Sequence, residues 1–434
     1  MRQRIRVLVV DDSVVVRRLV TDVLASDPAL EVVGTAQNGK IALGKLEQLK
    51  PDVVTLDIEM PVMDGLETLR EIRRIDRRLP IVMFSTLTER GATATLDALS
   101  SGASDYVTKP ANVGSVAESM ESVRQQLIPK IKALVPDFVE PLTVAAPVAA
   151  APSAPIAVRS RAAAAATPRA LVIGSSTGGP EALSSVLSKL PATLGVPVLV
   201  TQHMPPVFTR LYAQRLDKVS ALRVVEATDG EAVVAGTVYV APGDYHMEVV
   251  RRGAQLVTRL HQGPPENFCR PAVDVMIRSA VAAFGGELLA VVLTGMGSDG
   301  KLGCKAVAAA GGQVLVQDEA TSVVWGMPGA VAREGVADEV LPLGSLPDAI
   351  QRRLGSAGRP PAARPAAATR PAAAVPPRLP AASPPRPATA APAGSSPRTA
   401  ALPPRTTTAP SAPSTRPSTF RPTVPPVKTP PGRW

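Results

Sequence analysis

Asp52-Val53-Val54-Thr55-Leu56-Asp57 is an apolar run that ends in a carboxylate, and three other runs end on polar groups in the same way. Ile5-Arg6-Val7-Leu8-Val9-Val10 closes on Asp11-Asp12, Ile81-Val82-Met83-Phe84 on Ser85, and Asp105-Tyr106-Val107-Thr108 on Lys109. Strand-like runs alternating with helical stretches predict an α/β fold with a doubly wound parallel sheet, whose ligands gather at the carboxyl ends of the strands. Taken singly, each residue has a bland reading: a strand-end Asp or Ser caps a helix, and Lys-Pro makes a turn. The ordered set points to chemistry instead. Crowded carboxylates repel one another, and a divalent cation with oxygen ligands relieves that repulsion. The expected site is a Mg²⁺-assisted phosphoryl acceptor. Asp57 is its nucleophile, Asp11 and Asp12 join Asp57 on the metal, and Lys109 and Ser85 face the phosphoryl oxygens.

Residues 1–125 resemble a response-regulator receiver domain. The resemblance rests on Val9-Val10-Asp11-Asp12-Ser13, on Leu56-Asp57-Ile58-Glu59-Met60-Pro61-Val62-Met63-Asp64-Gly65 and on Gly102-Ala103-Ser104-Asp105-Tyr106-Val107-Thr108-Lys109-Pro110. It implies that a histidine kinase supplies the phosphoryl group of Asp57, and that the Lys109–Pro110 bond is cis.

Composition locates the rest. A chain of 434 residues, 45% hydrophobic, can hold two or three cores. The formal charge of +10 suggests nucleic acid, but residues 356–434 carry ten Arg, one Lys and no acidic residue, which leaves the remainder near −1. The high pI therefore belongs to a tail, and no nucleic-acid partner is expected. That tail holds 22 of the 46 prolines, and its Ala/Pro/Ser/Thr background predicts disorder. Residues 126–167 read as a helix end followed by an Ala/Pro-rich linker. The stretch from Pro141 to Pro168 would reach on the order of 90 Å if extended as polyproline II. Two cysteines, Cys269 and Cys304, make no disulfide framework. Neither a signal peptide nor an apolar run of about 18 residues is visible, so a cytoplasmic protein without a membrane span is expected.

A second domain is expected over 168–355. Its first strand, Ala170-Leu171-Val172-Ile173, runs into Gly174-Ser175-Ser176-Thr177-Gly178-Gly179-Pro180-Glu181. Ser176 has the Gly-x-Ser-x-Gly spacing of a nucleophile on a strand-to-helix turn, where small neighbours admit substrate and helix-start N–H groups can hold an oxyanion. A glycine-rich phosphate loop is the rival, although the Gly-Lys-Ser/Thr of a P-loop is missing. A serine needs a base, and the chain has three histidines. His203 follows the strand Val198-Leu199-Val200-Thr201 at the same predicted edge, whereas His246 enters a strand and His261 sits in a polar loop. Asp299 follows Leu288-Leu289-Ala290-Val291-Val292-Leu293 and is the expected partner of His203; Asp274 reads as a helix-start cap. Gly295-x-Gly297-x-x-Gly300, with Asp318-Glu319 about 20 residues on, also satisfies a dinucleotide fingerprint. Asp299 would then stand in a cradle meant for pyrophosphate, which argues against that reading.

Residues 168–350 resemble the catalytic domain of the chemotaxis protein-glutamate methylesterases, the CheB family. The matching stretches are Ile173-Gly174-Ser175-Ser176-Thr177-Gly178-Gly179, Thr201-Gln202-His203-Met204-Pro205-Pro206-Val207-Phe208-Thr209-Arg210, Ala241-Pro242-Gly243-Asp244 and Leu293-Thr294-Gly295-Met296-Gly297-Ser298-Asp299-Gly300. The resemblance implies a second doubly wound α/β domain and a cofactor-free hydrolysis by Ser176, His203 and Asp299. It further implies that Thr177 supports the site and that the Met296 N–H helps bind the oxyanion. The implied substrates are glutamate methyl esters and certain glutamines on methyl-accepting chemoreceptors, with the receiver covering the site until Asp57 is phosphorylated. The linker looks longer than the family usually has, which leaves the docking of the receiver open, and the basic tail has no counterpart. A receiver-gated dinucleotide-binding oxidoreductase and a non-catalytic interaction module are the alternative functions.

Overall fold

Residues buried on both faces of a sheet read as unbroken apolar runs, and β3 (Val53–Asp57) and β4 (Ile81–Ser85) are buried at every position. They join β1 (Ile5–Val10), β2 (Leu30–Ala36) and β5 (Asp105–Thr108) in a parallel sheet of order β2-β1-β3-β4-β5. Between the strands run α1 (Val14–Ala25), α2 (Gly39–Leu49), α3 (Gly65–Ile75) and α4 (Glu89–Ser100), and α5 (Val116–Leu134) follows β5. Each of the five begins at a side-chain cap: Ser13, Asn38, Asp64, Thr88 and Ser115. Such caps satisfy N–H groups that the helix itself leaves unpaired. The strand order reverses between β1 and β3, so Asp11 and Asp57 meet at one switch point.

The structure is a computed structural model that describes residues 4–110, 115–135, 159 and 166–355. The tail at 356–434, for which disorder is expected, and most of the expected linker lie outside the described residues.

The second sheet has seven parallel strands in the order β14-β13-β12-β6-β7-β9-β8. These are β6 (Ala170–Ser175), β7 (Val198–Gln202), β8 (Arg223–Glu226), β9 (Thr237–Val240), β12 (Leu288–Val292), β13 (Gln313–Gln317) and β14 (Glu339–Leu341). An antiparallel hairpin, β10 (His246–Arg252) with β11 (Gln255–His261), stands apart from it. Alternate residues of the central strands serve two cores. Leu171, Ile173, Val198 and Val200 pack toward α6 (Gly179–Leu187) and α7 (Phe208–Val219). Val172, Leu199, Ala290 and Val292 pack toward α8 (Val273–Phe284), α9 (Lys301–Ala309) and α10 (Met327–Arg333). Connections leave the adjacent strands β6 and β12 toward opposite faces, which opens a crevice beyond their carboxyl ends.

Receiver and catalytic domain pack together: α4 lies against α6 and α7, and both domains belong to one compact unit. Tyr106 of β5 stacks on Phe208 at 4.9 Å with planes 5° apart. Arg215 pairs with Asp97 at 2.7 Å, and Arg210 pairs with Glu89. The length of the linker thus leaves docking intact. One expectation is corrected: among the described residues the cis peptide bond is Arg270–Pro271, not Lys109–Pro110.

Candidate active sites

In the receiver, one carboxylate oxygen from each of Asp11, Asp12 and Asp57 lies within 4.8 Å of the others. Lys109 reaches in from the end of β5, its Nζ 2.8 Å from Asp57 Oδ1 and 3.0 Å from Asp11 Oδ2. Burial and the neighbouring Asp11 charge push the Asp57 carboxyl up to about 6, although Lys109 pulls the other way. Asp57 Oδ2 is buried without a hydrogen-bond partner among the described residues. An all-oxygen cluster with surplus negative charge and an unsatisfied oxygen fits Mg²⁺. Ser85 ends the neighbouring strand, but its hydroxyl accepts from Thr95 at 2.6 Å and donates to Gly91 O at 3.1 Å. It is held by α4 rather than turned to Asp57.

In the second domain, β6, β7 and β12 deliver Ser176, His203 and Asp299 to one edge. The two serines at the end of β6 differ in setting. Ser175 is fully buried and bonded to Gln202 Oε1 at 2.6 Å, whereas Ser176 is half-exposed. The Ser176 N–H donates to Thr294 O, and its carbonyl accepts from Gly179 N and Gln202 Nε2. The turn is therefore pinned while the hydroxyl stays free of hydrogen bonds among the described residues. Glycines allow the approach. Gly178 takes φ +73°, and a Cβ on Gly295 would lie 2.9 Å from Ser176 Cβ.

His203 is fixed by a 3.1 Å bond from its N–H to Ser175 O, and its Nε2 lies 2.8 Å from Asp299 Oδ2. Its Nδ1 faces Cys269 Sγ at 3.5 Å. Burial disfavours the imidazolium, but the bonds to Asp299 and Cys269 outweigh it and push the His203 pKa up to about 10. Asp299 is the most heavily bonded carboxylate of the crevice. Oδ2 also accepts from Val273 N at 2.6 Å; Oδ1 accepts from Asp274 N at 2.9 Å, Gly300 N at 2.9 Å and Asn267 Nδ2 at 3.0 Å. Burial alone would raise its pKa, but His203 and these N–H groups hold it below the usual range. Asp299 thus also caps α8, whose N-cap residue Ala272 has no side chain to do so.

This corrects the expectation for Asp274. It occupies the second position of α8, and its Oδ1 accepts from Gly303 N at 2.6 Å, tying α8 to α9 rather than capping its own helix. Burial and the nearby Asp299 push its carboxyl up to about 6. The glycines of the dinucleotide fingerprint serve the fold: Gly300, at φ +89°, is the N-cap of α9, and Gly295 presses against Ser176. His246 is buried and bonds the Pro264 carbonyl and the Ala272 N–H; His261 pairs with Glu248. Neither belongs to the crevice.

Sequence reasoning missed three residues on a two-residue turn. Glu266 and Cys269 exchange backbone hydrogen bonds, and Asn267 and Phe268 between them take φ +52° and +62°. Asn267 bridges Asp274 and Asp299 through Nδ2, Cys269 meets His203, and Phe268 is fully exposed. An Asn in a turn flags positive φ, but nothing local indicates a partner 32 residues away.

Thr177 and Met296 flank Ser176. Thr177 Oγ1 donates to Asp105 Oδ2 of the receiver at 2.5 Å, and the Met296 N–H has no acceptor among the described residues. Asp105 is itself paired with Lys130 at 2.9 Å. A cleft of about 420 Å³ between the domains is lined by Tyr106, Lys130, His203, Phe268, Cys269 and Arg270 among others. Receiver residues thus line one wall of the cleft beside His203.

Comparison with known proteins agrees with this division. Residues 7–121 match the response regulator receiver domain model, and 171–350 match the CheB methylesterase model. A protein-glutamate methylesterase/protein-glutamine glutaminase of Nocardioides sp. is 61% identical over 81% of this chain and 95% of its own length. That of Trichodesmium erythraeum is 49% identical over 81% of this chain and 99% of its own. The crystal structure of the Thermotoga maritima CheB methylesterase catalytic domain is 43% identical, covering 43% of this chain and 98% of that one with a TM-score of 0.42. None of the helices among the described residues is long and apolar enough to cross a membrane.

Proposed function

Because the chain belongs to the receiver-regulated protein-glutamate methylesterase/protein-glutamine glutaminase family, we propose that Ser176, His203 and Asp299 carry out its hydrolysis on chemoreceptor side chains. This enzymatic identity displaces the oxidoreductase and the non-catalytic module as readings. Ser176 Oγ attacks the side-chain carbonyl of a glutamate methyl ester while His203 takes its proton at Nδ1, the nitrogen that Asp299 leaves available. The Met296 N–H faces the developing oxyanion, with Thr177 supporting that wall. The tetrahedral adduct collapses, the C–O bond to the methoxy group breaks, and His203 returns the proton so that methanol leaves. Water then attacks the acyl-enzyme under the same base, giving the glutamate carboxylate and free Ser176. With a glutamine, ammonia departs in place of methanol.

The observation that carries this reading is the 2.8 Å His203–Asp299 bond at the same sheet edge as the half-exposed Ser176. His203 must be neutral, with its Nδ1 released from Cys269, to serve Ser176.

Asp11, Asp12 and Asp57 are the residues that would hold Mg²⁺, which when bound neutralises the crowded carboxylates and the incoming phosphoryl oxygens. A histidine kinase is the phosphodonor that the receiver implies. Phosphorylation adds about −1.5 to −2 charge beside Lys109 and biases the docked equilibrium toward release. A serine-directed phosphonate tests the chemistry: the wild-type chain should gain the phosphonyl mass on the peptide containing Ser176, faster with a phosphodonor present. Label on any other residue, or none, contradicts the proposal.

A further inference from the structure

The docked receiver presents one helix, α4, to the side of α7 that begins five residues after His203. Its acidic residues Glu89 and Asp97 are eight positions apart, about 12 Å along a helix, and meet Arg210 and Arg215 of α7. These pairs are half-exposed on both sides. Such pairs contribute little stability each, and another carboxylate can replace either acid at small cost.

The lining of the cleft between the domains carries a second anomaly. Phe268 is fully exposed, at a relative accessibility of 102%, on a backbone of φ +62°. An aromatic side chain in the left-handed region is strained, and Asn or Gly would fill the turn without that strain. Among the described residues the ring stacks on no other aromatic group. Strain combined with exposure at a site's edge points to a contact made with something else.

Resting on the hydrolase reading above, we infer that the α7 face carrying Arg210 and Arg215 docks an acidic helix of the substrate protein, with Phe268 of the cleft lining as an apolar contact. The receiver's α4 occupies that place as a stand-in. Charge complementarity carries the choice of occupant. The segment that turnover leaves behind bears glutamate carboxylates, and the element seated on α7 in the resting state is itself a helix with two carboxylates. Phosphorylation then exchanges one acidic helix for another on the same arginines.

The test uses the full chain with Mg²⁺ and a small-molecule phosphodonor, on two substrates: methylated receptor and a blocked glutamate γ-methyl ester. In the Arg210→Ala/Arg215→Ala variant, the ratio of kcat/KM on receptor to kcat/KM on the small ester should fall about tenfold, through KM. Without the phosphodonor, its hydrolysis of the small ester should rise above wild type, because the receiver undocks. Phe268→Asn should lower the same ratio about threefold while leaving the melting temperature equal or higher, since the strain is relieved. A phosphorylated double variant that keeps the wild-type ratio overturns the docking inference, leaving the arginines a role in autoinhibition alone. Failure of the wild type to hydrolyse either substrate is a different result, and it refutes the hydrolase reading instead.

Discussion

Replacing Asp299 by Asn changes one atom and reverses the hydrogen-bond logic of the site. Both carboxylate oxygens face donors: Val273 N and His203 on one, Asp274 N, Gly300 N and Asn267 on the other. An amide has a single oxygen, and three donors will claim it. Its NH₂ then faces Val273 N–H and His203 Nε2, so the imidazole must accept there and carry its proton on Nδ1. That tautomer cannot take the proton of Ser176. The expected loss in kcat is ~10⁴-fold, or about 5.5 kcal/mol of barrier. The opposed donors should also cost about 1–3 kcal/mol of stability. Methanol release at saturating receptor, with Mg²⁺ and phosphodonor, measures the first, and thermal unfolding the second. Asp274→Asn is the control. It weakens the tie to Gly303 N and should cost about 1 kcal/mol of stability, but it touches neither Ser176 nor His203. Turnover of Asp299→Asn within about tenfold of wild type, or a kcat loss in Asp274→Asn equal to it, would refute the reasoning.

Ser176→Ala should abolish hydrolysis with the fold intact, whereas Ser175→Ala should lose about 1 kcal/mol from its buried bond to Gln202 and keep turnover; the reverse pattern means that the register is wrong. Cys269→Ala removes one of the two groups that raise His203, so the alkaline-active limb of kcat/KM against pH should move to lower pH, and an unmoved limb contradicts that contact. Asp57 has its folded pKa raised to about 6, so the stability it contributes is present below its unfolded value near 3.8 and is lost as pH rises through 6. Mg²⁺ should therefore raise the melting temperature at pH 7.5 and scarcely at pH 5, and an equal shift at both would remove the metal from Asp57. Asp57→Asn should leave basal hydrolysis but no response to phosphodonor, and undiminished activation would contradict the receiver's role.

The strands that form the two switch points were legible, because strands buried on both faces must be apolar throughout. Ile5–Val10 and Asp105–Thr108 coincide with the reading, and β3, β4, β6, β7 and β12 differ only by a residue or two at their ends. Edge elements such as β8, β14 and the β10–β11 hairpin carry mixed burial and no continuous apolar signal. The meeting of Ser176, His203 and Asp299 at one sheet edge was legible because each follows a strand. Asn267, Phe268 and Cys269 were not, since their roles depend on a turn folding back across the sheet edge. Asp274 was misread because its partner is the start of α9 rather than its own helix, and Ser85 because its hydroxyl bonds to α4. The contacts that dock the receiver could not be read: the acids of α4 and the arginines of α7 meet across more than a hundred residues.

The most direct measurement is the time course of methanol release from methylated receptor by the full chain, with and without a phosphodonor and Mg²⁺. Release should proceed slowly in the docked state and accelerate several-fold once Asp57 is phosphorylated. Equal rates under both conditions would contradict a hydrolase whose receiver covers its active site.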